Sequence, residues 1–169
     1  MKDILRMPVV WAIGSVVVLG LLIGGILFLL RPQTPIPDAM YKKLDFSLFY
    51  PDPTSGYTID SKLVSFDASA KVLVFHAKKS GQDMLISEQS TPPVFNDIPE
   101  YYPKLIEKLN GYLDFDSLNG KVSLTKPKEL NGVQSAVFNG KGTLMFVKPN
   151  HALSDDDWRQ FFNQMTIWK

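Results

Sequence analysis

Cysteine is absent from the 169-residue chain, and only two histidines, His76 and His151, are present. Without thiols there can be no disulfide framework, no thiolate zinc site, no cysteine nucleophile and no lipid-modified cysteine. Two histidines exclude a histidine-rich metal site and leave a serine triad few possible bases. From Arg31 onward the sequence has 16 basic and 16 acidic residues, and this zero net charge argues against nucleic acid as a partner.

The longest feature of the sequence is a run of 24 residues without a charged side chain, residues 7–30. As a helix it would be about 36 Å long, enough to cross a hydrocarbon core of about 30 Å. The run exceeds the apolar region of a cleaved signal peptide and follows a short basic tail, residues 1–6, so it predicts a single-pass signal-anchor in the cell membrane with an extracytoplasmic C-terminal domain. Gly20 and Gly24 have the spacing of close-packed membrane helices, which leaves a weak homodimer open as an alternative to a monomer.

A proline-rich segment separates this anchor from the rest of the chain. Pro32, Pro35 and Pro37 block helix formation, so residues 31–39 are predicted to be a semi-rigid linker of about 25 Å. Residues 40–169 are enough for one domain with a single core. The expected organisation is therefore a tail, an anchor, a linker and one extracytoplasmic domain.

Short segments of alternating apolar and polar residues predict β-strands in this domain. The predicted strands cover residues 46–50, 57–66, 71–78, 83–89, 112–116, 121–125, 133–139 and 142–148. Four Asn-Gly pairs, which favour the tight turns of antiparallel hairpins, accompany them. The pairs are at residues 110–111, 119–120, 131–132 and 139–140.

Two helices are predicted beside these strands. The first covers residues 103–109, with prolines before it and an Asn-Gly pair after it. The second begins after Ser154, an N-cap residue that three aspartates follow. Its apolar stripe consists of Trp158, Phe161, Phe162 and Met165. This order of elements predicts an α+β domain in which an antiparallel sheet has its helices packed on one face.

The segments SGYTI, VLVFHAKKSGQDMLISEQ, NGKVSL, GTLMFVKPN and LSDDDWRQFFNQM resemble the extracytoplasmic domains of small, uncharacterised single-pass bacterial membrane proteins. In outline, residues 40–169 are also similar to domain-of-unknown-function modules of anti-sigma regulators, whose curved sheet is like the lipoprotein-carrier fold of LolA and MucB. The resemblance implies a curved sheet and a role in envelope binding or sensing. None of the segments that carry it is catalytic.

Between the two predicted halves lies a segment rich in proline and aromatic residues. Exposed segments of this type often form binding surfaces, so Pro93, Pro99, Tyr101 and Tyr102 are the candidate binding residues. The alternative is that these residues simply pack a connecting segment under the first helix.

Catalytic motifs give no comparable signal. A nucleophile elbow, a phosphate-binding glycine loop and a metalloprotease helix are all missing from the sequence, and residues 114–125 lack the glycine and glutamate positions of a calcium loop. We therefore expect a non-catalytic binding or sensing module of the cell envelope, without a metal or cofactor. It would contact an envelope protein, a peptide or a lipid. Two alternatives remain: a structural accessory subunit of a membrane complex, and an envelope serine hydrolase with His76 or His151 as base and Ser80 or Ser87 as nucleophile.

Overall fold

The computed structural model describes residues 36–127, 129 and 132–168. The chain divides into two units between Thr34 and Pro35, and the described residues belong to the second unit. The anchor predicted over residues 7–30, with Gly20 and Gly24, lies outside the described ranges. Within those ranges no helix is both long and apolar enough to cross a membrane.

The folded unit already includes residues that the sequence assigns to the linker over 31–39. Ile36 is buried in the core, and helix α1 spans Asp38–Tyr41. Pro37 stands at the N-cap of α1 with φ of −57°. A proline is tolerated there because the missing N–H would have no partner within the helix. The described part of this segment, residues 36–39, is thus a helical start of the domain and not an extended spacer.

The described ranges contain ten strands and four helices. The strands are β1 (Leu48–Pro51), β2 (Thr58–Ile59), β3 (Ser65–Asp67), β4 (Val72–Lys79), β5 (Gln82–Ser90), β6 (Gly111–Ser117), β7 (Gly120–Thr125), β8 (Ser135–Gly140), β9 (Thr143–Pro149) and β10 (Met165–Trp168). The helices after α1 are α2 (Val94–Asp97), α3 (Tyr101–Lys108) and α4 (Asp155–Asn163). Short 3-10 turns lie at Pro53–Ser55 and Ser61–Leu63.

Eight of these strands form one antiparallel sheet in the order β2-β4-β5-β9-β8-β7-β6, with β3 also paired to β4. The other two, β1 and β10, pair antiparallel with each other in a separate ribbon. The predicted α+β class with an antiparallel sheet is confirmed.

Two hairpin turns depend on left-handed backbone conformations. Ser80 and Gly81 join β4 to β5 with φ of 47° and 84°, and Lys141 and Gly142 join β8 to β9 with φ of 52° and 81°. Positive φ at both central residues matches the twist of the flanking strands. Glycine adopts this conformation without a steric cost, and it fills the second position of both turns.

Two of the four Asn-Gly pairs lie at least partly within strands and not wholly in turns. The pair at 139–140 lies inside β8, because the observed register places Val137 opposite Phe146 and so pairs the apolar residues of the two strands. The pair at 119–120 straddles the start of β7. The pair at 110–111 ends α3 as predicted, with Asn110 at φ of 58°. In the pair at 131–132, the asparagine lies outside the described residues.

One face of the eight-stranded sheet forms the core with helix α4. Ring centroids are 6.0 Å apart between Phe138 on the sheet and Phe162 on α4, and 6.1 Å apart between Phe162 and Trp158. Ser154 and Asp157 form the predicted capping box at the start of α4, with the Asp157 N–H donating to the Ser154 hydroxyl at 3.1 Å. The prediction that the C-terminal helix belongs to the core is confirmed.

The opposite face of the sheet, which we call the second face, carries helix α3. The Tyr102 hydroxyl lies 3.4 Å from the hydroxyl of Ser123 on β7. Because side chains alternate along a strand, Ser123 faces away from its neighbours Val122 and Leu124, which belong to the core. The expectation that the helices pack on one face is therefore wrong: α3 and α4 lie on opposite faces. The sheet can carry a helix on both sides because β7 and β9 are buried at most positions along their length and β8 at half of its positions.

Strand β10 was not predicted from the sequence. Met165 was predicted as the end of the helical stripe, but α4 ends at Asn163 and Met165 opens β10 opposite Pro51 of β1. Met165 is buried as expected, within a strand. A residue seven positions after Trp158 fits the helical stripe whether or not the helix continues, so the spacing alone could not reveal the change.

Candidate functional site

A groove of about 540 Å³ lies on the second face of the sheet. Val74, Val137 and Phe146 from β4, β8 and β9 form its floor together with Leu85 and Ser87 of β5. We call this region the sheet groove. These residues share a face because they alternate with core residues in paired strands, with Ser87 opposite both Val74 and Phe146.

The groove is walled by the C-terminal end of α3 and by the chain after β7. Leu109 follows α3 directly, and Pro127 and Val133 belong to the connection between β7 and β8. Helix α3 thus covers only part of the second face. As a result Leu85 stays 38% exposed, although a large apolar side chain in the middle of a sheet is usually covered.

Charged side chains surround this apolar floor. Lys126 and Lys148 are exposed at the rim, and neither forms an ion pair with a described residue. The Lys126 ammonium lies 5.6 Å from the ring centre of Tyr112, a cation–π distance. Glu129 is the acidic residue of the lining. The groove therefore combines an apolar floor with two available cations.

His76 lies beside the groove on the same face. Its Nδ1 is 2.7 Å from Oδ1 of Asp83, and the ammonium of Lys78 is 3.7 Å from the second oxygen of the same carboxylate. The carboxylate fixes the orientation of the imidazole ring, as a general base would require. Within the described part of the chain His76 has no hydrogen bond to a serine: Ser80 is in the β4–β5 turn, and Ser87 lies opposite Val74.

His151 lies in a hydrogen-bond network that joins two loops of the domain. Its Nδ1 lies 2.7 Å from the side-chain oxygen of Asn150, and the Asn150 amide donates to the carbonyl of Gly81 at 3.1 Å. Asn150 also accepts a hydrogen bond from the backbone of Asp83 at 3.0 Å. His151 is exposed in the loop before α4, and among the described residues its ring forms no hydrogen bond with a serine.

The predicted proline and tyrosine surface forms at the other end of α3 from the groove. Pro93 precedes α2, Pro99 precedes α3, and Tyr101 and Tyr102 open α3. Both tyrosine rings pack near Phe95, with centroid distances of 6.0 and 5.6 Å. The structure therefore brings the two tyrosines together around Phe95, with Pro93 and Pro99 next to them along the chain.

The two tyrosines differ in exposure. Tyr101 is 48% exposed, whereas Tyr102 is half-buried against the sheet and burial raises the pKa of its hydroxyl. Tyr102 serves packing, the alternative that the sequence left open. Tyr101, Pro93 and Pro99 are exposed, and their role in binding stays a prediction.

The acidic segment at residues 114–125 pairs internally. Lys121 lies 2.9 Å from the Asp114 carboxylate. Burial acts to raise the pKa of Asp114, but hydrogen bonds from Lys121 and Ser123 together with the charge of Lys121 lower it. Among the described residues, no group of three or more histidine, aspartate or glutamate side chains is placed to hold a metal ion.

Glu88 is a buried carboxyl that the sequence analysis missed. It is completely buried on the core face of β5, and its Oε2 accepts a hydrogen bond from the Phe49 N–H at 3.1 Å. Its Oε1 is buried and has no hydrogen-bond partner among the described residues. Burial raises the pKa of Glu88 well above the usual value of a glutamate. The alternation Met84, Ile86, Glu88 was the available signal, because it places the carboxyl on the apolar face of the strand.

Comparisons of this chain with protein-family models, with curated proteins and with solved structures find no match. The functional argument therefore depends on the residues of the chain itself.

Proposed function

We propose that this chain is a non-catalytic binding or sensing module of the cell envelope, anchored by residues 7–30, and that its ligand occupies the sheet groove. The observation that carries the proposal is the open apolar floor of the groove beside two lysines that form no ion pair with a described residue. A volume of about 540 Å³ lies in the ordinary range for sites that bind small ligands.

The lining favours a ligand that has an apolar body and one anionic group. Leu85 and Phe146 offer contacts for the apolar part, and they would lose water contact when the ligand binds. Lys126 and Lys148 would attract the anionic group from the rim. A small number of polar groups around an apolar floor is enough to orient a ligand. Only those few groups then lose their water on binding.

The test uses two soluble probes of matched size and opposite charge, 4-phenylbutyrate and 4-phenylbutylammonium. With the full chain in nanodiscs, saturation-transfer NMR should show stronger binding of the anion. Ser87→Phe, which fills the floor, should abolish the signal, whereas Ser61→Phe in an exposed 3-10 turn should retain it. Lys148→Glu should reverse the charge preference without filling the groove. Equal signals from both probes in all variants would contradict the proposal.

A serine hydrolase is the second candidate, and the 2.7 Å contact between His76 and Asp83 is the observation that favours it. Here Asp83 would orient His76, and Ser87 or Ser80 would have to move within reach of the ring. A fluorophosphonate probe decides between the candidates. Labelling that is lost in His76→Ala and in one serine variant would make the chain a hydrolase, whereas labelling at background level in the native chain supports the binding module.

A further inference from the structure

Three exposed lysines gather at the end of the domain where the described chain begins. Lys42 and Lys43 follow helix α1 directly, and Lys141 is in the turn between β8 and β9. Lys42 and Lys141 line one shallow depression of about 530 Å³, together with Ser47 and Tyr41. We call Lys42, Lys43 and Lys141 the lysine end.

The positive charge of the lysine end is not neutralised by neighbouring acids. None of its three lysines forms an ion pair with a described residue. Asp45, which also lines the depression, is paired at 2.8 Å with Lys71, and this hydrogen bond lowers the pKa of Asp45. Residues 31–169 are neutral as a whole, whereas this end has three lysines and no ion pair to them among the described residues, so it carries a local excess of positive charge.

Aromatic side chains flank the same lysines. The rings of Tyr41 and Trp168 meet edge to face, with centroids 6.1 Å apart, and both are half-buried. Trp168 reaches this place because β10 pairs with β1, which begins just after the depression. Tyrosine and tryptophan beside lysine are the residues that proteins place at the boundary between a membrane and water.

The chain between the predicted membrane segment and the folded domain is short. The uncharged run ends at Leu30, and Ile36 is already buried in the domain. Six residues can extend over about 20 Å at most. If residues 7–30 cross a bilayer, a tether of this length allows Lys42 and Lys43 to reach its surface.

We propose that the lysine end binds the phosphate groups of anionic phospholipids in the bilayer that residues 7–30 cross. This inference rests on the anchor in the proposed function. Exposed lysines attract an anionic surface within a Debye length, which is about 8 Å at physiological salt. The complementary charge and the short tether both favour this occupant over a distant protein.

The test measures the reactivity of individual lysines in the full, unaltered chain. The chain is reconstituted in nanodiscs of phosphatidylcholine alone or with phosphatidylglycerol, acetylated briefly, and analysed by peptide mass spectrometry. Lys42, Lys43 and Lys141 should react about fivefold more slowly in the anionic discs, and the protection should disappear at high salt. Lys62 and Lys104, which are exposed elsewhere, should react equally in both discs.

Two controls separate the possible failures. Flotation of the discs shows whether the chain is inserted, so a chain that does not float contradicts the anchor itself. A chain that floats but has equal lysine reactivity in both discs overturns the inference about the lysine end. Inorganic phosphate added to neutral discs should give no protection, and protection there would assign the site to free phosphate. The variant with Lys42→Glu and Lys141→Glu should lose the lipid-dependent protection of Lys43, whereas Lys104→Glu should retain it.

Discussion

At the scale of single residues, Glu88 links two parts of the fold. Its carboxyl accepts a hydrogen bond from Phe49 in β1, and the hydroxyl of Thr143 donates to the carbonyl of Ser47 at 2.5 Å. Glu88 and Thr143 are both fully buried on the core side of the sheet. They thus attach β1, which pairs in the ribbon with β10, to the eight-stranded sheet. Removing the acceptor at Glu88 would leave a buried N–H without a partner, which costs about 1 to 3 kcal/mol.

The raised pKa of Glu88 predicts a pH dependence of stability. In the unfolded chain a glutamate has a pKa of about 4.3. In the folded protein the carboxyl of Glu88 holds its proton more tightly, because burial disfavours the charged form and raises the pKa. The stabilisation from Glu88 is therefore complete below about pH 4 and is lost as the pH rises toward the folded pKa. Glu88→Gln keeps an acceptor for Phe49 and cannot ionise. Relative to this variant, the native free energy of unfolding should fall with pH, by at most about 1.4 kcal/mol per unit.

Urea unfolding of residues 36–169 between pH 4 and pH 8 measures this difference. Comparing the two proteins cancels the opposite effect of carboxyls whose pKa is lowered, such as Asp52 and Asp67, because both proteins contain them. Glu107→Gln, an exposed position on α3, is the matched control and should follow the native curve. Parallel curves for the native protein and Glu88→Gln would mean that the carboxyl is not held protonated by burial.

At the scale of elements, local sequence patterns predicted the features that depend on neighbouring residues in the chain. Alternation located the long strands of the sheet, and the capping residues located the start of α4 at Ser154. Strand β10 escaped because its pairing with β1 joins the two ends of the domain, and no local pattern carries that information. The same reason explains why α3 was placed on the wrong face. Amphipathic spacing shows which side of a helix is buried, but not which face of the sheet it covers.

Trp158 on α4 should dominate the stability of the core. It is fully buried and contacts the rings of Phe161 and Phe162. Trp158→Ala should lower the free energy of unfolding by roughly 3 to 5 kcal/mol, measured by urea denaturation. Trp158→Phe should cost clearly less, because it keeps an aromatic ring and removes an indole N–H that has no partner among the described residues. Equal losses in the two variants would contradict a packing role.

Strand β10 can be tested apart from α4. Ending the chain after Gln164 removes the partner of β1 and the buried Met165, and should lower the melting temperature by about 10 °C. Ile167→Pro should reproduce much of this loss, since proline cannot donate to the strand ladder, and Ile167→Val should be nearly neutral. Circular dichroism melts measure all three, and an unchanged melt after the deletion would make β10 dispensable.

At the scale of the whole molecule, the candidate site is a product of tertiary structure. Val74, Leu85, Val137 and Phe146 come from four strands, and each was predicted as part of a strand. Whether these residues are covered depends on which face of the sheet α3 packs against. The end of α3 before the Asn-Gly pair at 110–111 was predicted, but the face that it covers was not readable from the sequence. The sequence predicted a cluster at the start of α3, whereas the structure opens a groove at its other end, beside Leu109. Composition and motifs predicted the class of function only.

The orientation of the chain in the membrane decides which compartment supplies the ligand. A short basic tail before the uncharged run, residues 7–30, favours export of everything that follows. Protease added to intact spheroplasts should therefore remove an epitope tag placed after Lys169, while a cytoplasmic marker protein stays whole. The folded core resists cleavage, but a tag at the chain end is accessible wherever the domain is. Full protection of the tag until detergent opens the membrane would place the domain in the cytoplasm, and the ligand of the sheet groove would then have to be a cytoplasmic molecule.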